Sequence, residues 1–314
     1  MSKKKVIPQV VKDIQNKVKR DIDWASEKSI SYSQLSMFND CPKKWSLQYK
    51  EGFKQFTSTI HTVFGTALHE IIQHYLTVMY NESGTKADKI NTSELFETAL
   101  REEYTKQYKT NNKQHFSSPN ELREFYDDGI EIIRDFAKNK GKHFSKRGWY
   151  LVGVEIPIVL SPNPNYPNVV YQGYLDIVMY HEPTHTIKII DLKTSTSGWN
   201  DKQKKDENKQ FQLILYKKYF ADHFNFPEEK IDVEFFIVKR KLYESDDFVI
   251  RRIQKFKPPS GKIKIKKAVE SMNNFIENAF DQQGYKNIEH KPTINDNCKW
   301  CPFFKTHLCS ATYQ

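Results

Sequence analysis

No apolar run in this 314-residue chain approaches the roughly 18 residues that a membrane-spanning helix needs. The N-terminus, Met1 to Lys5, is basic but leads into no apolar segment of the kind that opens a secretory leader, so the expected compartment is the cytosol. Internal repeats and low-complexity tracts are missing as well. So is any Gly-X-X-X-X-Gly-Lys loop, which removes the usual cradle for ATP phosphates. Cysteine is scarce, with four residues: Cys41, Cys298, Cys301 and Cys309. In a cytosolic chain, four thiols point to a metal site before they point to disulfides.

What is abundant is positive charge and aromatic surface. Lys and Arg number 49 against 39 Asp and Glu, a formal charge of +10. A basic surplus favours polyanions, nucleic acid first, although many Lys-rich proteins are merely soluble. Aromatic residues make up 14% of the chain and apolar runs recur along it, which excludes global disorder. The length fits one elaborated domain or two small ones.

Apolar spacing predicts the elements. A short apolar phase, Val6, Val10, Val11 and Ile14, runs through a Lys-rich N-terminal segment that forms a helix or a loose basic arm. Ser33 reads as a cap before Gln34 to Asn39, and Cys41-Pro42 ends that helix. The clearest helix covers 62–80, where Val63, Phe64, Ala67, Leu68, Ile71, Ile72, Tyr75 and Leu76 recur at helical spacing. Helices follow at about 92–109 and 119–139. From Trp149 the character changes to strands at 150–160, 169–180 and 186–193, a helix near 206–222, strands at 231–240 and 248–256, and a helix near 262–281. That order predicts an α/β fold with an N-terminal helical elaboration.

Two strand ends carry the chemistry. Gly173-Tyr-Leu-Asp176 closes one, and Ile189-Ile-Asp191-Leu-Lys193-Thr closes the next. Side chains alternate along a strand, so Asp191 and Lys193 share a face, while Ile190 and Leu192 point the other way. Carboxylates on adjacent strands can converge on one hard divalent cation such as Mg²⁺. A cation so held polarises a phosphoryl oxygen and lowers the pKa of water, and a neighbouring lysine can orient that water and stabilise developing negative charge. The bland alternative is a pair of solvated strand-end acids with Asp-X-Lys as a surface ion pair. Against it, a charge beside Ile189 and Ile190 needs a reason. Glu155, in Val154-Glu-Ile-Pro157, reads equally as an added ligand and as a solvated strand residue.

Cys298-Lys-Trp-Cys301, with Cys309 after seven further residues and Cys41 far upstream, fits a [4Fe–4S] cluster, a structural zinc or a redox dithiol. His307 is a competing ligand.

The Gly-X-X-Asp element, followed fifteen residues after Asp176 by apolar-apolar-Asp191-X-Lys193-Thr, resembles the PD-(D/E)XK nuclease superfamily. Within it the chain is similar to the RecB-type nuclease domain and the CRISPR-associated adaptation exonuclease. Gly65-Thr-Ala-Leu-His69 resembles that branch's metal-binding histidine helix. Gln212-Leu-Ile-Leu-Tyr216 resembles its Gln-apolar-X-X-Tyr helix. Ser31-Tyr-Ser-Gln-Leu35, with Phe38 and Cys41-Pro42, resembles its N-terminal signature. The resemblance implies a restriction-endonuclease-like core, a mixed central sheet flanked by helices, with a C-terminal Fe–S segment. It implies Mg²⁺ or Mn²⁺ held by His69, Asp176, Asp191 and Leu192, with Lys193, Asp191, Asp176, Glu155, Gln212 and Tyr216 as the catalytic set. It also tips the four cysteines toward a [4Fe–4S] cluster over zinc.

The expected organisation is a basic arm over 1–30, a helical region over 31–148 carrying the first cysteine and the histidine helix, a nuclease core over 149–285, and a cysteine-rich segment over 286–314. The expected activity is hydrolysis of DNA, exonucleolytic on single strands or ends, in recombination, repair or replication. A helicase or recombinase is the natural companion, and a virus of bacteria a natural source. The competing readings are a non-catalytic Fe–S scaffold that binds DNA and a redox protein. For DNA contact the candidates are Lys202, Lys204, Lys205 and Lys209, the basic stretch from Arg251 to Lys267, and Trp199 as a stacking surface, each weighed against an ordinary solvated face.

Overall fold

The computed structural model of the chain describes residues 6–19, 29–53, 58–243 and 251–309. Met1 to Lys5, the rest of the basic segment at 20–28 and the start of the expected strand at 248–250 lie outside those residues. In chain order the elements are α1 (Gln9–Val18), β1 (Ser29–Ile30), α2 (Tyr32–Asp40) and α3 (Pro42–Trp45), which runs into a π-helical turn at Ser46–Lys50. Then come α4 (Ile60–Asn81), α5 (Gly84–Ala87), α6 (Thr92–Thr110), α7 (Pro119–His143), β2 (Trp149–Leu160), β3 (Val170–His181), β4 (Thr186–Ser195), α8 (Asp201–Lys205), α9 (Glu207–Phe224), β5 (Ile231–Lys239), β6 (Ile253–Phe256) and α10 (Lys262–Ala279). None of the described helices is long and apolar enough to cross a membrane.

The six strands form one mixed sheet. β3 runs antiparallel to β2 and β4, β4 parallel to β5, and β5 antiparallel to β6. Helices cover both faces, as strands apolar on both sides require. On one face α1, α2, α9 and α10 pack through Val11, Leu35, Phe38, Phe211, Phe220 and Phe275. On the other α4, α6 and α7 pack through Phe64, Leu68, Ile72, Phe96, Phe125 and Ile133. This is the mixed α/β architecture that the element order predicted, arranged as the restriction-endonuclease-like core that the resemblance implied.

Two local outcomes differ from the sequence expectation. The cap of α2 is Ser31, not Ser33: its side chain accepts from the Gln34 amide at 3.3 Å. The earlier start lets Tyr32 lie on the helix, where its hydroxyl donates to the Asn208 carbonyl of α9 at 2.8 Å. Trp199 does not project to solvent. Its ring packs 4.8 Å from Phe235, and its main chain exchanges hydrogen bonds with Gln254, so it anchors the strand–helix crossover.

Candidate active site

The sheet opens where the acidic residues lie. Ile177 pairs with Val154 on one side and Ile190 on the other, and there the β3–β4 ladder ends. Further back along β3, Tyr171 pairs with Leu160 and with Ile30 of β1. Between these points, the β4-side edge of β3 has no strand partner among the described residues. Asp176 sits at the mouth of that gap. Its Oδ2 accepts from the Leu192 amide at 2.6 Å and so replaces the backbone acceptor that a continued ladder would have supplied.

The distortion spans two strands. Val154 opposes Ile177 and Ile156 opposes Leu175, so Glu155 and Asp176 stand opposite each other and drop out of the pairing. Glu155 has a left-handed backbone, φ +48°. For a residue with a Cβ this costs on the order of 1–3 kcal/mol and persists only where the surroundings enforce it. The break also switches faces: Leu175 packs in the α9-side core, whereas Ile177, two residues on, packs in the α4-side core. A regular strand would keep both on one face.

Asp191 and Lys193 behave as alternation requires. Lys193 Nζ lies 2.7 Å from Asp191 Oδ2. Asp191 is 2% exposed. Beyond that ion pair, the buried Oδ2 has no hydrogen-bond donor among the described residues. Burial holds the Asp191 carboxyl above the ordinary carboxylate range, with Lys193 opposing. Asp176 is pushed well above that range, first by burial and then by the charge of Asp191; Lys193 and the Leu192 amide oppose. Two desolvated like charges side by side are costly unless a cation offsets them.

Helix α4 supplies the fourth side. Thr59 caps it with a capping box, and its apolar stripe fixes its rotation on the sheet. Gly65 brings it close: a Cβ there would meet Thr194 Oγ1 at 3.1 Å. One turn on, His69 Nδ1 lies 3.8 Å from Asp176 Oδ2. Burial first, then Lys193, lowers the His69 pKa to about 4, while the Leu192 backbone opposes by accepting from the ring. The imidazole is therefore neutral at physiological pH and keeps a lone pair to offer. One further turn along, Gln73 donates to Glu155 Oε1 at 2.5 Å and to the Asp176 carbonyl at 3.1 Å.

From the opposite face, Gln212 Nε2 donates to the Tyr216 hydroxyl at 3.4 Å on α9. Tyr216 packs over Gly173, where a Cβ would meet its ring at 3.1 Å. Burial first, then the charge of Asp191, raises the Tyr216 pKa, so the phenol stays protonated and able to donate. Tyr32 is raised for the same leading reason and also faces the charge of Asp191.

The structure thus gathers His69, Glu155, Asp176, Asp191, Leu192, Lys193 and Tyr216 around one opening in the sheet. Sequence reasoning missed Gln73 and the part played by Tyr32. A legible signal existed for Gln73, a polar residue set among Ile71, Ile72, Tyr75 and Leu76 one turn after His69. Among the described residues no three His, Cys, Asp or Glu side chains form a ready-made metal cage. The donor chemistry still fits a hard divalent cation: carboxylate oxygens, a neutral imidazole and a buried Asp191 oxygen with one ionic partner.

The cysteines come together outside this opening. Cys41, Cys298, Cys301 and Cys309 are all free thiols and line one small pocket with Asp40, Lys44 and Thr293. Backbone amides of Lys44 and Thr293 donate to Cys41 Sγ at 3.5 and 3.4 Å, and that of Asn295 donates to Cys298 Sγ at 3.5 Å.

The basic stretch resolves largely into internal pairing. Lys264 and Lys267 both bind Glu207, Lys257 pairs with Asp232, Lys255 with Glu234, Lys266 with Glu270 and Arg252 with Glu131. Lys202, Lys205 and Lys209 border an open pocket with Gln203, Asp201 and Asp206 at the start of α9, where Lys209 pairs with Asp206 at 3.8 Å.

Compared with known proteins, residues 29–306 match the profile of the PD-(D/E)XK nuclease superfamily. A crystal structure from Eubacterium rectale, provisionally described as an exonuclease, is similar at 12% identity and a TM-score of 0.44, over 88% of this chain and 89% of that one. A search of curated proteins found no match.

Proposed function

The chain belongs to the PD-(D/E)XK nuclease superfamily, and on that footing we propose that it is a Mg²⁺- or Mn²⁺-dependent deoxyribonuclease, an exonuclease working on single-stranded DNA or DNA ends. One observation carries the reading: a buried Asp191 with an ionic lysine partner, next to Asp176, at an opening in the sheet. Burying two carboxylates side by side costs stability, and a site that retains them has a use for concentrated negative charge.

His69, Asp176, Asp191 and Leu192 would hold the cation, with Glu155 alongside. Bound there, it would supply Lewis acidity to the phosphodiester. Lys193 orients the attacking water and stabilises the charge that develops on the phosphoryl oxygens. Its side chain, about a third exposed, can turn the ammonium from Asp191 toward substrate. Tyr216 and Gln212 supply uncharged donors for DNA phosphate or for Lys193. Lys202, Lys205 and Lys209 supply positive potential where a strand would enter. Recombination, repair or replication is the setting this activity implies, with a helicase or recombinase as companion.

The four cysteines would hold a [4Fe–4S] cluster, with zinc as the lesser occupant. Their amide-supported sulfurs, drawn from both ends of the chain, support that reading. Its role would be to tie the C-terminal segment to α2, closing a very long loop and so removing unfolded-chain entropy.

The experiment is direct. Purified protein with Mg²⁺ or Mn²⁺ is expected to degrade end-labelled DNA, while Asp191→Ala and Lys193→Ala bind DNA without cutting it. Loss of one transition-state donor typically costs about 10²–10³-fold in rate. Wild-type protein that binds DNA and never cuts it, in either metal, would mark a scaffold protein instead.

A further inference from the structure

Gln73 is 6% exposed and lies on α4 between two pairs of core residues. Burying an amide there is unfavourable unless its hydrogen bonds are made. They are made to the two residues that leave the β2–β3 ladder: Gln73 Nε2 reaches Glu155 Oε1 at 2.5 Å and the Asp176 carbonyl at 3.1 Å. His69, one turn earlier on the same helix face, lies 3.8 Å from the Asp176 carboxylate. Helix α4 thus hydrogen-bonds the Asp176 main chain, brings His69 close to its carboxylate, and reaches across to a Glu155 held at φ +48°.

We propose that Gln73 is a positioning residue of the active site: its amide fixes Glu155 and Asp176 as a pair of oxygen donors for a divalent cation. This rests on the metal-dependent nuclease reading above. The chemistry explains why the residue is an amide. A lysine or arginine in its place would neutralise charge that a cation needs, and a carboxylate would repel Glu155 and could not donate to the Asp176 carbonyl. A neutral donor orients both groups and leaves their charge intact. The strained backbone at Glu155 then has a holder. Glu155 and Asp176 drop out of the ladder, and the side-chain nitrogen of Gln73 donates to the Asp176 carbonyl and to the Glu155 carboxylate.

The test measures Mn²⁺ binding to DNA-free protein by electron paramagnetic resonance or calorimetry, beside cleavage. Gln73→Met keeps the volume and removes the donors. It is expected to weaken Mn²⁺ binding about 10–100-fold, the usual cost of losing a group that orients a ligand. Glu155→Met, which removes the acceptor, is expected to weaken it similarly, and the double variant to bind no more weakly than the worse single one, because both changes break the same contact. Wild-type affinity in Gln73→Met, or losses that multiply in the double variant, overturns the proposal. Should Gln73→Met fail to fold by circular dichroism, the wild-type side-chain amide of Gln73 is followed by ¹⁵N resonance. That signal is expected to be protected from exchange and to move on adding Mg²⁺, and a signal unmoved by Mg²⁺ overturns the proposal. Mn²⁺ binding that depends on Gln73 in a protein that cuts no DNA upholds the positioning role and refutes the nuclease reading. Vigorous cleavage with an unaffected Gln73→Met does the reverse.

Discussion

Replacing Asp191 with Asn should make the protein more stable and inactive at once. Asp191 is 2% exposed, and burial destabilises its charged form; its charge also pushes the Asp176 carboxyl upward. Lys193 offsets part of this, but its side chain is 32% exposed, so its attraction is screened by solvent. An isosteric amide removes the desolvation and the like-charge repulsion together, and Lys193 can turn to water. Relief of functional strain of this kind is worth about 0.5–2 kcal/mol. At roughly 2 °C per kcal/mol for a chain of this size, Asp191→Asn should melt about 1–4 °C above wild type in EDTA. Mg²⁺ at a hundred times its dissociation constant adds about 2.7 kcal/mol to a protein that binds it. Saturating Mg²⁺ should therefore lift the wild type and leave the variant nearly unmoved, reversing their order. The pH dependence has a definite sign. Both carboxyls have folded pKa values above their unfolded ones, so the folded state binds more protons. Their contribution to stability is fully present at low pH and is lost as pH rises above about 4 through the raised values. The melting gap in EDTA should accordingly widen as pH rises from 4 toward neutrality. Differential scanning calorimetry of both proteins, with and without Mg²⁺, checks all of this. A variant that melts below wild type in EDTA at neutral pH, or that gains as much from Mg²⁺, refutes the electrostatic account of the site.

Other consequences follow from the packing. Gly129 lies so close to Phe96 that a Cβ would meet its ring at 2.2 Å, and Phe96 is wholly buried. Gly129→Ala should therefore lose about 1–3 kcal/mol by overpacking, despite its better helix propensity, read as a fall in the urea midpoint. Glu207 joins the start of α9 to Lys264 and Lys267 of α10, which lower its pKa to about 2. Its depressed folded value means that its contribution is present above the unfolded pKa near 4.3 and fades as pH falls toward 2; Glu207→Gln should flatten acid denaturation in that window. If the cysteines hold the proposed cluster, Cys301→Ser should abolish bound iron and acid-labile sulfide and lower the melting temperature, since a structural metal centre contributes directly to folding. Retention of a full iron complement would exclude Cys301 as a ligand.

Much of this protein is written locally. Element order, the buried stripe of α4, the alternation that pairs Asp191 with Lys193 and the clustering of the C-terminal cysteines all depend on spacing along one element, where period and polarity suffice. Spacing along the chain also separated Asp176 from its apolar neighbours. Contacts between residues distant in sequence decided the rest. The left-handed Glu155 carries no glycine to announce it, and its side chain meets Gln73, 82 residues away. Lys264 and Lys267 read as free cations until folding brings Glu207 to them. Trp199 reads as an exposed aromatic until Phe235 and Gln254 close around it. The gap in β3 that exposes Asp176 exists because β1 and β4 stop short of meeting, and no single strand encodes where its neighbours end.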